Sequence, residues 1–267
     1  MADEKPPETS LLRSWAIQRR IVWALILREM LTRYGRHNIG FLWLFVEPMI
    51  FTVGVTLVWT AFRNIHASDL PIAAFAVTGY SSVLVWRNIP ARAVGALEPN
   101  LSLMYHRNVK VFDVFISRIL LECMGVGVSF FVLSVFFAAI GWISLPENPH
   151  LVVEGWLMLA WFGMGLGLFL GAFSMRSDLV DKFFHPLTYL MFPFSGAAWL
   201  AESAPPPVRQ YVMYVPMIHG VEWVRDGFFG SHFTPIYEPM YLLGWNMVLT
   251  FFGLVELRNA RKFIVPQ

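Results

Sequence analysis

Long apolar runs limit what this 267-residue chain can fold into. A helix needs about 20 mainly apolar residues to cross the hydrocarbon core of a bilayer. Six stretches meet or approach that length, at residues 39–62, 70–86, 119–142, 151–175, 184–201 and 240–257. Only 14% of the residues are charged, whereas soluble domains carry about 25%. The sequence therefore predicts an all-α polytopic membrane protein with six transmembrane helices.

The distribution of basic residues predicts the orientation of these spans. Of the 20 Lys and Arg residues, 17 fall in alternate connecting segments, at 1–38, 87–118, 176–183 and 258–267. Cytoplasmic loops of membrane proteins carry the Lys and Arg excess. Both termini are therefore expected in the cytoplasm, and an even number of crossings is consistent with this.

A single transmembrane domain is expected over residues 1–267, with four parts. Residues 1–10 are acidic and rich in proline, which indicates a disordered tail. Residues 11–36 are basic and aromatic, and arginines interrupt every long apolar window, so they predict an interface helix and not a span. Residues 37–257 hold the six spans and 258–267 a cytoplasmic tail. Pro186 and Pro193 predict that the fifth span is kinked or partly re-entrant.

The sequence lacks the enzyme motifs and the metal-ligand clusters that would indicate catalytic activity. The sequence contains no Gly-Lys pair, which excludes a P-loop, and neither H-E-x-x-H nor G-x-S-x-G occurs. Asp178 and Asp181 lie in a short connecting segment, where solvated or partner-facing charges are the simpler interpretation. Cys123 is the lone cysteine, and no Cys/His cluster suggests zinc. We therefore expect no catalytic residue, no metal site and no cofactor in this chain.

Three glutamates fall near or within the apolar runs, where ionisable groups are costly and are functional candidates. Glu154 lies near the start of its span, which favours an interfacial position. Glu122 follows Arg118 by four residues, so an ion pair along one helix is expected. Glu47 precedes Pro48, which removes a backbone hydrogen bond from Leu44 and kinks the helix. Its carboxylate either pairs with a neighbouring helix or lines a water-filled path, and both interpretations remain open.

The glycines of the fourth span are expected to have a structural role. Gly163, Gly167 and Gly171 recur at every fourth residue, so they share one helix face. Small residues at this spacing allow the backbones of two membrane helices to approach closely. This pattern predicts a packing face and not a ligand site.

The segment at residues 25–50 carries a recognisable motif in two parts. An L-x-x-R-E-x-x-[TS]-R-[FY]-G pattern is filled by Leu25, Arg28, Glu29, Thr32, Arg33, Tyr34 and Gly35. An [LI]-G-[FY]-L-W-x-x-x-E-P pattern follows, filled by Ile39, Gly40, Phe41, Leu42, Trp43, Glu47 and Pro48. This arrangement resembles the start of the inner-membrane permeases of capsular polysaccharide ABC exporters. A weaker similarity extends along most of the chain, including "VPMIHGVEWVR" at 215–225.

The resemblance implies a type-2 ABC exporter permease (ABC-2) that forms a homodimer and pairs with two copies of a separate ATPase, which binds ATP and Mg. It implies that ATPase coupling uses residues 98–110, with the contacts Glu98, Met104, Tyr105, His106 and Arg107. It places periplasmic gate helices around 211–229, with the gate residues Tyr211, His219, Trp223 and Arg225. The candidate residues of the substrate entrance or path are Arg33, Tyr34, Arg36, His37, Trp43 and Glu47.

The substrate implied by the resemblance is a lipid-linked, usually anionic, capsular polysaccharide, exported across the inner membrane of a bacterium. Periplasmic adaptor and outer-membrane proteins are further implied partners, and nucleic acid is not. Export of O-antigen, teichoic acid or a small hydrophobic drug is an alternative. A polytopic transferase acting on lipid-linked sugars is an alternative of another class.

Overall fold

Helices form all of the regular secondary structure in the part of the chain that the computed structural model describes, residues 11–35, 40–62, 70–106, 109–232 and 234–260. The α-helices are α1 Leu11–Tyr34, α2 Trp43–Ala61, α3 Ile72–Ala93, α4 Leu101–His106, α5 Val111–Ala139, α6 Pro149–Ser174, α7 Asp178–Met191, α8 Pro206–Val212, α9 Pro216–Phe229 and α10 Pro239–Ala260. The predicted all-α class is confirmed. Helix α1 covers most of residues 11–36, and its position at the membrane interface stays a prediction.

Four helices of the described residues are long and apolar enough to cross a membrane: Trp43–Ala61, Val111–Ala139, Pro149–Ser174 and Pro239–Asn259. They correspond to four of the six predicted spans. The second predicted span, 70–86, belongs to α3, which continues through Arg87 and Arg92 to Ala93. Most of α3 is buried because α2, α5, α6 and α9 pack around it. A helix surrounded by protein does not need a wholly apolar surface.

The fifth predicted span is not one continuous helix. Residues 184–201 begin within α7, pass through a 3-10 turn at Pro193–Ser195 and continue without regular structure. Pro193 has no amide hydrogen to continue the helical bonding, and Gly196 has φ +74°, a left-handed conformation that ends helices. Helix α7 is therefore 14 residues long, too short to cross the bilayer by itself.

Helix α9 lies inside the bundle, alongside the first half of α6 and antiparallel to it. The backbone of Gly227 approaches that of Leu151 and Val152, and Gly220 faces the side chain of Leu159. Of the eleven α9 residues that are buried, several contact α3 as well as α6. Helix α9 is therefore a buried helix, packed between α3 and α6.

The predicted glycine face of α6 packs against α3. A methyl group at Gly163 would lie 3.2 Å from the Val85 carbonyl oxygen, and one at Gly167 3.3 Å from the Pro90 Cα. At Gly171 the corresponding distance to the Ala93 carbonyl oxygen is 2.9 Å. The three glycines therefore set the spacing between α6 and α3, and the structural interpretation is confirmed.

Gly171→Ala is expected to destabilise the protein by about 1 to 3 kcal/mol, because the added methyl overpacks the contact with Ala93 and with the ring of Phe115. Thermal unfolding of the purified protein in detergent measures the effect. Gly244→Ala in α10 is the matched control, since nothing lies within 4 Å of its added methyl. Equal melting temperatures for the two variants would contradict the close packing of α6 and α3.

Candidate functional site

Four charged side chains from four different helices meet where α1 ends and α2 begins. This charge cluster consists of Arg33 of α1, Glu47 of α2, Arg92 of α3 and Glu122 of α5. Arg33 forms a hydrogen-bonded ion pair with Glu122, and Arg92 Nε lies 3.2 Å from the same carboxylate. Glu47 lies 3.8 Å from Arg33 and 3.7 Å from Arg92. Two carboxylates therefore balance two guanidinium groups.

Glu122 is the buried centre of the charge cluster. Its side chain is 5% exposed, against 46% for Glu47. The pair expected between Glu122 and Arg118 is wrong, because Arg118 Nε pairs with Glu29 of α1 at 3.3 Å and its Nη1 donates to the Arg92 carbonyl. Helix α1 lies along α5, so the side chains of α5 find their partners across the interface between helices.

The pairing of Glu47 with neighbouring helices is confirmed, whereas a position on a water-filled path stays a prediction. The carboxylate pairs with neighbouring helices, and its exposed half faces a cavity. At this step α2 packs closely on α5, where Ser129 Oγ donates to the Phe45 carbonyl at 2.7 Å. A methyl group at Gly125 would lie 3.0 Å from the Leu44 carbonyl oxygen. The carbonyls preceding the proline therefore face α5.

A polar cavity of about 320 Å³ lies between α2, α3 and α7. Its polar lining comes from all three helices: Glu47, Arg87, Asn88, Arg92, His185, Thr188 and Tyr189. The guanidinium group of Arg87 lies 5.5 Å from the centre of the Tyr189 ring. Arg87 forms no ion pair with any residue that the structure describes. The cavity therefore contains a cation that no carboxylate of the described residues balances.

This arrangement suits the binding of an anion beside a hydroxyl-rich group. Arginine donates several hydrogen bonds in a fixed geometry that matches carboxylate and phosphate. Asn88, His185 and Tyr189 add neutral hydrogen-bonding groups, and the ring of Tyr189 offers a face on which a sugar packs. In the described part of the chain, no group of three His, Cys, Asp or Glu residues is arranged to hold a metal ion.

Some of the predicted entrance residues lie at this site, and the others lie outside the described residues. Arg33 and Glu47 lie in the charge cluster, and Trp43 begins α2 with half of its surface exposed. Arg36 and His37 lie outside the described residues, as does the side chain of Tyr34. Their roles stay predictions.

The cavity residues Arg87, Arg92 and His185 were not among the sequence-predicted sites. The second span was expected to end at residue 86, so the two arginines were treated as loop charges. The continuation of α3 to Ala93 brings Arg87 and Arg92 against α2 and α7. No local motif in the sequence marked these two arginines as site residues.

The predicted coupling segment, residues 98–110, comprises a 3-10 turn at Glu98–Asn100, helix α4 and the approach to α5. Asn100 is buried, donates to the Ala96 carbonyl at 2.8 Å and accepts a hydrogen bond from Arg28 of α1. Glu98 is exposed, and Met104 packs partly against the main core. Arg107 and the side chains of Tyr105 and His106 lie outside the described residues.

A second connection joins the coupling segment to α1 at the start of α5. The amide of Lys110 donates to Asp113 Oδ2 at 2.9 Å, and Gln18 of α1 donates to the other oxygen of that carboxylate. Together with the bond between Arg28 and Asn100, this ties both ends of the segment to α1. Both ends of the segment are therefore held against α1 by side-chain hydrogen bonds.

The four predicted gate residues occupy different surroundings. Tyr211 in α8 is exposed, whereas His219 is buried between the Met213 carbonyl and the Glu238 amide, each at 2.9 Å. Trp223 stacks on Tyr237 with 5.4 Å between ring centres. Arg225 is fully buried. Three of the four therefore lie in the packed interior around α9, and their role in a gate stays a prediction.

Arg225 ties the irregular segment after α7 to α9. Its guanidinium group donates to the carbonyls of Gly196, Ala197 and Trp199 at 2.6, 2.6 and 3.0 Å. Glu222 lies 3.9 Å away, and the Phe75 ring centre is 4.0 Å from the guanidinium carbon. Backbone at membrane depth needs such internal partners because lipid offers none.

Arg225→Met is expected to cost about 3 to 5 kcal/mol of stability, because it leaves three carbonyls and the Glu222 carboxylate without a buried cation. The expected result is a loss of folded protein from detergent extracts, which size-exclusion chromatography measures. Arg209→Met is the control: Arg209 of α8 also donates to two carbonyls, those of Glu202 and Ala204, but it is only partly buried, so water can replace it. Equal yields of the two variants would contradict the assigned role of Arg225.

Comparison with known proteins identifies related sequences over nearly the whole chain. The sequence model of the ABC-2 type transporter family matches residues 20–229. The capsule polysaccharide export inner-membrane protein CtrC of Neisseria meningitidis serogroup B is 42% identical over 260 residues, 97% of this chain and 98% of the relative. BexB of Haemophilus influenzae, with the same description, is 38% identical over the same shares. The polysialic acid transport protein KpsM of Escherichia coli is 26% identical over 92% of this chain and 95% of its own.

Proposed function

Because the chain belongs to the ABC-2 type transporter family, we propose that it is the membrane-spanning subunit of an ATP-driven exporter. The exported molecule is a lipid-linked capsular polysaccharide, and the membrane is the inner membrane of a bacterium. The relatives CtrC and BexB, both capsule polysaccharide export inner-membrane proteins, support both assignments. Both termini face the cytoplasm, since the basic residues concentrate on that side.

The observation that carries this proposal is the polar cavity beside apolar helix faces. Ionisable groups such as Arg87 and Glu47 do not face hydrocarbon, so protein or water must cover the cavity. The surrounding surfaces of α2 and α7 are apolar and exposed in the single chain, including Phe51, Val58, Phe183 and Leu187. A second copy of this chain covers them, and the two cavities then line a path between the protomers.

The anionic groups of the polysaccharide meet the path through Arg87 and Arg92. Arg33, Arg36 and His37 form the cytoplasmic mouth, beside Tyr34, Trp43 and Glu47. Aromatic faces and hydrogen-bonding side chains contact the sugar rings weakly and repeatedly, which suits a polymer that must move. Gate residues at the outer end of the path come from residues 211–229.

Two copies of an ATPase subunit supply the energy, and they bind the ATP and Mg. They contact the coupling segment, residues 98–110, whose ends are tied to α1 by Arg28 with Asn100 and by Gln18 with Asp113. A push on this segment is therefore transmitted to α1, and from Arg33 to the charge cluster. Periplasmic adaptor and outer-membrane proteins receive the polysaccharide on the far side.

Co-expression with a candidate ATPase subunit tests the proposal. The ATPase should co-purify, and acidic capsular polysaccharide should stimulate ATP hydrolysis in reconstituted vesicles several-fold. If only a small hydrophobic drug, only O-antigen or only teichoic acid stimulates ATP hydrolysis, that molecule is the substrate and capsular polysaccharide is not. Sugar transfer by the purified chain without any ATPase would identify a transferase and refute the exporter.

A further inference from the structure

A second cavity lies on another face of the molecule, between α1 and α5. It is a groove of about 730 Å³ that shares no lining residue with the polar cavity. Its floor is formed by Ile26 of α1 and by Ile116, Leu120 and Met124 of α5. Arg19 and Arg20 lie at its rim. The groove is therefore apolar inside and cationic at one edge.

The floor of the groove belongs to a longer apolar stripe on α5. Leu120, Met124 and Val128 recur at every fourth residue, and all are exposed in the single chain. Phe131 and Val135 extend the same side of the helix and are also exposed. Helix α5 is long and apolar enough to span the membrane. This face therefore contacts hydrocarbon, and the groove opens towards it.

The rim is an uncompensated pair of cations. Arg19 and Arg20 are exposed and form no ion pair within the described residues, although Arg19 lies 5.2 Å from the Trp15 ring centre. The nearby carboxylates are engaged elsewhere: Glu29 pairs with Arg118, and Asp113 is buried and accepts from Gln18 and Lys110. The charge of the rim therefore has no internal partner in the described part of the chain.

We propose that this groove binds one anionic phospholipid of the leaflet in which α1 lies. The phosphate of the headgroup lies between Arg19 and Arg20, while an acyl chain fills the floor along Leu120 and Met124. A free phosphate would leave the apolar floor empty, and a peptide would find almost no hydrogen-bonding group there. Exposed Trp15 and Trp23 at the sides hold α1 at headgroup level, where indole rings concentrate. The bound lipid packs between α1 and α5 and holds the two helices in position.

Native mass spectrometry of the full-length purified protein tests the charge requirement. Dioleoylphosphatidylglycerol should bind more tightly than dioleoylphosphatidylcholine. Arg19→Gln combined with Arg20→Gln should weaken phosphatidylglycerol binding roughly 10- to 30-fold, since each surface cation contributes about 1 kcal/mol towards an anionic lipid. Lys182→Gln combined with Arg258→Gln is the control, which removes the same charge from other helices and should leave the affinity unchanged.

Two further measurements test the location. Leu120→Trp fills the floor and should reduce binding at least tenfold, whereas Val132→Trp, exposed on the same helix beyond the groove, should not. A phosphatidylglycerol with a photoreactive acyl chain should label α5 between residues 112 and 124. Affinity unchanged by both the double arginine variant and Leu120→Trp would overturn the proposal. Labelling confined to α2 and α7, or displacement by the substrate's own lipid, would overturn it as well. None of these readouts depends on transport, so the result is independent of the proposed function.

Discussion

Glu122→Gln is expected to lower the melting temperature of the purified protein by roughly 5 to 15 °C and to abolish export. The substitution keeps the shape of the side chain but leaves Arg33 and Arg92 facing one half-exposed carboxylate. Breaking a buried ion pair costs about 3 to 5 kcal/mol, and the 40% exposure of Arg92 reduces that to about 2 to 4 kcal/mol. For a chain of this size each kcal/mol corresponds to about 2 to 4 °C.

Glu47→Gln provides the matched control, since Glu47 contacts the same two arginines. Its side chain is 46% exposed and its ion pairs are 3.7 to 3.8 Å long, so we expect a stability loss below about 1 kcal/mol. Arg33→Gln in the Glu122→Gln background should restore part of the stability, because it removes the unbalanced cation. Equal melting temperatures for the two glutamine variants would refute the central role of Glu122.

Arg87→Glu is expected to reduce export of an anionic polysaccharide roughly 100-fold or more without loss of folded protein. Placing a negative charge in the proposed path should repel an anionic substrate by several kcal/mol, and each 1.4 kcal/mol corresponds to a factor of ten. Arg87→Gln should cause a smaller loss, of roughly tenfold. Surface polysaccharide on cells and polysaccharide-stimulated ATP hydrolysis in vesicles measure the two effects.

Two controls distinguish a local effect of Arg87 on export from a general effect of net charge. One is a change in ionic strength, and the other is a charge reversal far from the cavity. Raising the ionic strength should reduce the difference in polysaccharide-stimulated ATP hydrolysis between the unmodified protein and Arg87→Gln, because salt screens exposed charges. Arg258→Glu, near the end of α10, makes the same change in net charge away from the cavity and should export normally. If Arg87→Glu exports as well as Arg258→Glu, the cavity between α2, α3 and α7 is not the path.

The long apolar helices were predictable because apolar length is a local property of the sequence. The predicted spans at 39–62, 119–142, 151–175 and 240–257 overlap α2, α5, α6 and α10 closely. The interface helix at 11–36 was predicted from arginines that interrupt its apolar windows. The second and fifth spans were located less well, because α3 is surrounded by protein and α7 ends at a proline and glycine.

The candidate site was only half predictable. Arg33 and Glu47 were identified because they belong to a local motif, and that motif lies within one stretch of the chain. Their partners Arg92 and Glu122 lie far away in sequence, and the available local rule paired Glu122 with Arg118 instead. Arg87 and His185 gave no local signal, since each becomes notable only when α3 and α7 lie side by side.

The sequence by itself determined that the chain is an all-helical membrane protein and where most of its long apolar helices lie, and it predicts their orientation. These properties depend on residues close together in the chain, through apolar length and the distribution of arginine and lysine. Only the tertiary structure decided which charges pair, because an ion pair requires atoms within about 4 Å and four helices supply them here. Likewise, only the packing of α2, α3 and α7 produced a cavity in which Arg87 has no carboxylate partner among the described residues.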